Sequence, residues 1–466
     1  MTASSTTTPA RAVILAAGRG TRMKSAHPKA MQRLGNQPLV AHLLAAAQQV
    51  FDSITVIVGP EMAALEEAVQ PHATTTQHER RGTGHAAAQA APRFGAPPGQ
   101  AVGDVMVLCA DNPLMTAATM ERALQARRQP GVSLVLVTMR PNVPGRYGRV
   151  ILNKAGLVER IVEHADATAG ERALTLCNAG SVCANGDDLA RWLGALTPAN
   201  AQGELYLTDV VAQAAQEGHV VHLEISEDEA MGINDRAQLA MAEAALQKRL
   251  RAAAMAGGAT LVAPETVFLS ADTQLGPDSV VEPNVFFGPG VVVEGGATIR
   301  AFSHLEGCTV GEGSVVGPYA RLRPGTKCAP QSHVGNFVEL KNTHLGQGSK
   351  ANHLSYLGDA DIGPGTNIGA GTVTCNYDGF GKHRTVIGQG AFVGSDSILV
   401  APVRVGDGAL VGAGSVITED VPDEALALGR ARQANRPGRA PLLRRRLAAR
   451  AAQGKAPKSD KGSTKD

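Results

Sequence analysis

Between Leu15 and Met23 the chain reads LAAGRGTRM, an apolar run broken by Gly18 and Gly20 and flanked by Arg19 and Arg22. Residues of these types after a strand can hold an anion: glycines let backbone N–H groups approach closely, and a guanidinium adds fixed positive charge. A dinucleotide fingerprint needs a third glycine where Met23 stands, and a Walker loop needs Gly-Lys-Ser/Thr, so neither applies. On the residues alone the loop is either a phosphate cradle or a plain strand-to-helix turn. Asp111, which closes the apolar run VMVLCAD, is likewise either a hard oxygen ligand for a cation or a turn residue. His353 is one of 13 histidines, and spacing alone reads it as a surface residue. A single long insertion, TCNYDGFGKHRT (374–385), carries Asn376, Tyr377, Asp378 and Lys382, and loops on rigid scaffolds tend to carry function.

The elements that must position these residues differ between the two halves. Up to about residue 232, the runs SITVIVG (53–59), VMVLCAD (105–111) and SLVLVTM (133–139) alternate with alanine-rich stretches of helical character. Strands buried on both faces read this way, so an open, mostly parallel α/β sheet is expected, with ligands at the carboxyl ends of its strands. Residues 236–256 are good helix formers throughout and predict one connecting helix, stopped by Gly257 and Gly258. From Leu275 a period of six sets in, opened by aliphatics such as Val281, Val293, Ile299, Leu305, Val310, Val316, Leu322, Val334, Ile362 and Ile368, and closing with Ile417. Small residues stand four places on, among them Ser279, Ala297, Thr309, Ser314, Thr326 and Ser415. This periodicity predicts a parallel β-helix, each coil burying its opening aliphatics against the next.

Composition agrees and excludes other classes. The 466 residues include 53 glycines but only 3% aromatics, which fits an interior of small aliphatic side chains. A net charge of +2 gives no global field to select nucleic acid, and no apolar run approaches the ~20 residues of a bilayer span. The first ten residues lack the organisation of a signal peptide, and the six cysteines show no CxxC pairing, so a reducing, cytoplasmic setting is expected. The stretch after Pro441 is basic and then Lys/Ser/Gly-rich, and is read as an unstructured, solvated tail.

Several motifs together carry a family resemblance. They are LAAGRGTRM, HPKAM, RRGTGHA, Asp111 after its strand, RYGRV, VEH and CNAG in the first half. RLRPG, HVGNFVELK, NHLSYLGDADIG, NIGAGTVTCNYDG and FVGSD follow in the second. Over residues 10–432 the chain resembles the bifunctional bacterial N-acetylglucosamine-1-phosphate uridylyltransferase/glucosamine-1-phosphate acetyltransferases. The resemblance implies a Rossmann-like nucleotidyltransferase domain (11–235), a linker helix (236–256) and a left-handed β-helix acetyltransferase domain (257–440), between an unstructured N-terminus (1–10) and the tail (441–466). It also implies a homotrimer acting on glucosamine 1-phosphate, acetyl-CoA, N-acetylglucosamine 1-phosphate and UTP, with Mg²⁺ as cofactor and no nucleic-acid or membrane partner.

By the same resemblance, Leu15, Ala16, Ala17 and Gly18 hold the nucleotide by backbone, and Arg22 and Lys29 neutralise its phosphates. Gln77, Gly82 and Thr83 read uracil and ribose, Asp111 and Asn234 ligate Mg²⁺, and Gly148, Glu163 and Asn178 contact the sugar. In the second half His353 is the base, with Glu339 orienting it; Arg323, Lys341, Tyr356 and Asn367 bind the sugar phosphate; Ala370, Asn376, Tyr377, Ser395, Ala413 and Arg430 bind acetyl-CoA. Cys109 and Ala110 stand where the family shows Tyr-Gly beside the nucleotide, a departure that leaves Asp111 in place. Two rival readings reduce the β-helix to an oligomerisation module or a non-enzymatic scaffold. The polar residues around His353, at spacings that match neighbouring coils, argue against both.

Overall fold

The computed structural model describes residues 8–95, 102–200 and 202–453. The first seven residues of the expected N-terminal arm and residues 454–466 of the tail lie outside them.

The first half forms around one mixed sheet. Its main path runs His219–Ile225, Val132–Met139, Cys177–Asn185, Asp104–Cys109, Ala10–Leu15, Ser53–Val58, Ala73–Thr76. All neighbours along it are parallel except Cys177–Asn185, which is antiparallel to both of its partners. The central strand shows why its neighbourhood lacks polar alternation: Ala12 and Ile14 pack into the apolar core on one face, and Val13 into the core on the other. The pairing of Leu15 with Cys109, continued by a hydrogen bond from Ala110 N to Leu15 O (3.0 Å), sets the LAAGRG loop beside Asp111 at the carboxyl ends of adjacent parallel strands.

The connecting helix runs Arg236–Ala256 and is capped by Asp235, whose side chain accepts from Gln238 N at 2.9 Å. Its polar residues stitch the two halves together. Glu243 accepts from Gly35 N (2.8 Å), and the buried Gln247 carboxamide exchanges hydrogen bonds with both backbone groups of Leu269 (2.6 and 2.9 Å).

Beyond it the chain winds into a left-handed parallel β-helix whose three faces are sheets of ten, eight and eight strands. Hexad openers such as Val281, Val293, Ile299, Leu305 and Val316 form its buried axis. One small-residue position differs from expectation: Thr309 is half-exposed and Cys308 fills the interior, because Val310 follows Leu305 by five positions rather than six and the strand Cys308–Val310 turns its alternate side chains inward.

The tail is a second correction. Arg439–Gln453 forms a helix rather than unstructured chain, consistent with its Leu, Arg and Ala content, and residues 439–452 are exposed.

Candidate active sites

A cavity of about 260 Å³ opens at the carboxyl edge of the first sheet. It brings together Leu15, Ala16, Ala17, Gly18, Lys29, Gln77, Gly82, Thr83, Cys109, Ala110 and Asp111. Gly20 shapes its rim: the residue is left-handed (φ 67°), and a Cβ there would stand 2.6 Å from Lys29 Cβ, so only glycine lets the loop close over Lys29. Gln77 is buried and donates to Gly82 O at 3.1 Å, fixing the turn that starts the helix Thr83–Ala88.

At one end of this cavity four polar side chains meet. Lys29 Nζ lies 2.5 Å from Asp111 Oδ2 and 3.1 Å from Asn234 Oδ1, and Arg22 donates to that same Asn234 oxygen at 3.0 Å. Asn234 comes from a distant segment, held alongside by Ile233 N donating to Asp111 O at 2.9 Å. A carboxylate and an amide oxygen therefore converge on one cationic position, here taken by the ammonium. That donor set fits a hard cation completed by phosphate and water oxygens.

The sugar-side candidates gather next to it. A smaller cavity of about 140 Å³ is lined by Glu163 and Asn178 and shares Thr83 and Cys109 with the first. Gly148 completes the group: its carbonyl accepts from Asn178 N (2.9 Å), and a Cβ on it would lie 3.3 Å from both Glu163 carboxylate oxygens. Burial raises the Glu163 pKa above its ordinary value, opposed by a hydrogen bond from Thr208 at 3.3 Å. Burial, reinforced by the Asp111 charge, pushes the Cys109 thiol up to about 12, so it stays protonated and donates weakly to Gly180 O.

On the β-helix, His353 occupies one corner. Each residue just before the left-handed turn residue at this corner stacks on its counterpart one coil away. Gly371 N donates to His353 O, Asp396 N to Ala370 O, and Gly414 N to Ser395 O. His353, Ala370, Ser395 and Ala413 thus form a single column, and Arg430 ends it, its Cδ 3.8 Å from where a Gly414 Cβ would be. The turn positions change character along this edge. Before His353 they are the stacked rings of Phe302, Tyr319 and Phe337, with centroids 4.9 and 5.2 Å apart; after Leu354 they are Gly371, Asp396 and Gly414.

The adjoining face carries Arg321 paired in register with Glu339, and Glu339 with Tyr356. Lys341 lies on the same face, its register partner Gly358 leaving room for the Tyr356 ring, whose Oη would lie 2.4 Å from a Cβ there. Tyr377 is exposed on the inserted loop at the far edge of this face, with Lys382 Nζ 4.2 Å above its ring.

Comparison with known proteins agrees with both halves. A family model described as MobA-like NTP transferase domain matches residues 12–182, and one described as bacterial transferase hexapeptide (six repeats) matches residues 384–419. The protein named bifunctional protein GlmU in Gluconobacter oxydans is 61% identical, the match covering 95% of this chain and 98% of the relative. Its namesake in Gluconacetobacter diazotrophicus is 62% identical, covering 96% of each. The chain belongs to the GlmU family. It is a bifunctional enzyme, with a nucleotidyltransferase half and a hexapeptide-repeat acetyltransferase half.

Not every residue expected from the GlmU resemblance falls where it was placed. Glu339, read as the orienting partner of His353, instead accepts from Arg323 at 2.9 Å and lies 3.7 Å from Arg321. The partner of His353 is Asn336, one coil earlier, whose Oδ1 lies 2.8 Å from His353 Nδ1. Asn367 sits on a different sheet from Arg323, Lys341 and Tyr356, in register with Lys350 and Phe392. Asn376 is buried at the foot of the loop, where its amide donates to Asp359.

Sequence reasoning also missed residues. Arg80 lines the larger cavity and is fixed by donating to Ala17 O at 3.0 Å; its place in the run ERRG was the available signal. Thr208 and Asn336 carry no local signal, since each acts through a partner distant in sequence. All six cysteines are free, and among the described residues no helix is long and apolar enough to cross a membrane.

Proposed function

We propose that the β-helix acetylates glucosamine 1-phosphate with acetyl-CoA, and that the first domain transfers UMP from UTP to the resulting N-acetylglucosamine 1-phosphate, giving UDP-N-acetylglucosamine and pyrophosphate. The observation that carries the reading is the column His353–Ala370–Ser395–Ala413, ended by Arg430. Four strand spacings of about 4.8 Å make a slot of roughly 19 Å. It suits an extended thioester arm with its phosphates at the guanidinium and its carbonyl at the imidazole. Asn336 Oδ1 accepts from Nδ1 of His353, a contact that selects the neutral tautomer with its proton on Nδ1 and Nε2 as the basic nitrogen. Nε2 takes a proton from the substrate ammonium, and the free amine attacks the thioester carbon. As the tetrahedral adduct collapses the C–S bond breaks, the nitrogen gives up its second proton and the imidazolium returns its proton to the departing thiolate, releasing amide and thiol. Arg323, Lys341 and Tyr356 hold the sugar phosphate on the adjoining face, and Tyr377 meets acetyl-CoA.

In the first domain a phosphate oxygen of the sugar attacks the α-phosphorus of UTP and pyrophosphate leaves, a reaction that needs placement and charge neutralisation but no side-chain nucleophile. The backbone from Leu15 to Gly18 cradles the nucleotide, Gln77, Gly82 and Thr83 fix its base and ribose, and Cys109 and Ala110 close its floor. Arg22 and Lys29 neutralise the phosphates. Gly148, Glu163 and Asn178 orient the sugar. Asp111 and Asn234 would hold Mg²⁺, which supplies Lewis-acid neutralisation of phosphate charge. The working assembly is a homotrimer in the cytoplasm, and the functional division falls at 11–235, 236–256 and 257–440.

The test is an assay of purified protein with glucosamine 1-phosphate and acetyl-CoA, without UTP or metal, following free thiol. Release that falls by about 10²–10⁴-fold in His353→Ala, with uridylyl transfer retained, supports the reading. Asp111→Asn should do the reverse, lowering uridylyl transfer by at least about 100-fold and sparing acetylation. Absence of thiol release from the folded wild-type protein would reduce the β-helix to a scaffold.

A further inference from the structure

We infer that Asp359 is a positioning residue for acetyl transfer, its carboxylate tying the sugar-phosphate lysine, Lys341, to the foot of the loop that presents Tyr377. The inference rests on the acetyl-transfer site just proposed, and it concerns the corner opposite His353.

Asp359 is fixed at that corner by its backbone. It is left-handed (φ 49°), its N–H donates to Lys341 O at 2.9 Å, and its carbonyl accepts from Thr385 N at 3.1 Å, where the inserted loop returns to the β-helix. The carboxylate, only 10% exposed, reaches the loop's other end. Oδ2 accepts from the buried Asn376 amide and lies 3.7 Å from Lys341 Nζ, while Oδ1 accepts from Asn342 Nδ2 at 2.7 Å. One residue therefore holds both ends of the insertion and a candidate phosphate ligand at once. Gly358 belongs to the same device: a Cβ there would lie 2.4 Å from Tyr356 Oη and 2.7 Å from Asn376 Nδ2, so its bare backbone lets both groups converge beside the carboxylate.

The chemistry calls for a carboxylate in particular. Burial alone raises the Asp359 pKa, but hydrogen bonds from Asn342 and Asn376 and the charges of Lys341 and Lys382 hold it below the ordinary aspartate value. Three donors surround an acceptor-only group. An asparagine of the same shape would turn its own NH₂ against one of them and remove the charge facing Lys341.

The experiment uses the full-length enzyme carrying Asp359→Asn, with uridylyl transfer as an internal control that should not change. The expected result is a rise of about tenfold in KM for both glucosamine 1-phosphate and acetyl-CoA, with kcat changed less than about threefold, because the base on the opposite corner is untouched. Tryptic cleavage after Lys382 should also quicken by about tenfold as the loop is released. Both KM values unchanged, or cleavage unchanged, overturns the inference. Lys341→Ala and Tyr377→Ala, assayed in parallel, separate it from the reading beneath it. If they raise KM and Asp359→Asn does not, the positioning role is wrong; if they leave KM unchanged, the substrate site itself is misplaced. Should Asp359→Asn unfold the β-helix, Asn342→Ala removes one donor only, and a rise of about threefold in both KM values is expected, with no rise counting against the inference.

Discussion

Glu163 shows how a single environment sets a measurable property. Its carboxylate lines a cavity shared with Asn178, Val182, Leu207 and Thr208, and burial, reinforced by the charges of Asp209 and Asp166, raises its pKa above the ordinary value. Protonation therefore sets in at a higher pH than for an exposed glutamate, and the protonated acid loses much of its strength as an acceptor for sugar hydroxyls. KM for N-acetylglucosamine 1-phosphate should be flat above that raised pKa and climb as pH falls through it, and Glu163→Gln should flatten the acidic limb while raising KM by about tenfold at neutral pH. A pH profile of kcat/KM in both proteins checks this, and an acidic limb retained by the variant would assign the titration elsewhere. Residues of this kind were legible only in part. Glu163 and His353 are singled out by their motifs, but their hydrogen-bond partners are not: Thr208 lies far along the chain from Glu163, and Asn336 reaches His353 by stacking one coil above it. Glu339 likewise contacts other groups than the one expected. The resemblance pairs it with His353, whereas strand register and hydrogen bonding join it to Arg321 and Arg323.

Elements were more legible than contacts, because period and composition are local. The repeat of six and the helix-forming run at 236–256 needed no tertiary information, while the slip from Thr309 to Cys308 depended on one missing residue between coils. The C-terminal helix was overlooked because its high charge reads as solvated tail, although its Ala, Leu and Arg content favours helix. The connecting helix also bears on the chemistry. Asp235 caps it, and the next residue upstream, Asn234, donates its N–H to Gln238 Oε1 at 2.7 Å in the helix's first turn. The first turn thus anchors the backbone of Asn234, whose side-chain oxygen accepts from Arg22 and from the Lys29 ammonium that Asp111 also binds. Asp235→Ala should cost about 1 kcal/mol of stability and raise the Mg²⁺ concentration for half-maximal uridylyl transfer several-fold, leaving acetylation alone. A Mg²⁺ titration beside a denaturation curve measures both; lost stability with an unchanged Mg²⁺ requirement would uncouple the helix from the site.

At the scale of the molecule, the groups proposed for acetylation lie on two different edges of the β-helix. His353 and its column stand at one corner, and Tyr377 stands on the loop at the opposite edge of the adjoining face. The loop tip, where Phe380 is fully exposed, touches none of the column residues through a hydrogen bond, yet it holds its shape through Asp378, which accepts from the backbone N–H groups of Phe380 and Gly381 (2.8 and 2.7 Å). In the assembly proposed above, a shaped loop with an exposed aromatic tip would enter a neighbouring copy's site, each site then drawing its base from one chain and its loop from the next. Two separately inactive proteins then become complementary. His353→Ala supplies a sound loop without a base, and a variant carrying Tyr377→Ala and Phe380→Ala supplies a sound base without a loop. Co-expressed, with a distinct affinity tag on each chain so that mixed oligomers can be isolated, they should recover a substantial fraction of wild-type acetylation, far above the sum of the two parents. Uridylyl transfer, whose proposed residues gather around cavities within one chain, should stay at the wild-type level in every sample. If mixed oligomers acetylate no faster than their parents, base and loop must serve the same chain's site, and the loop would have to fold back across the face that carries Lys341 and Tyr356.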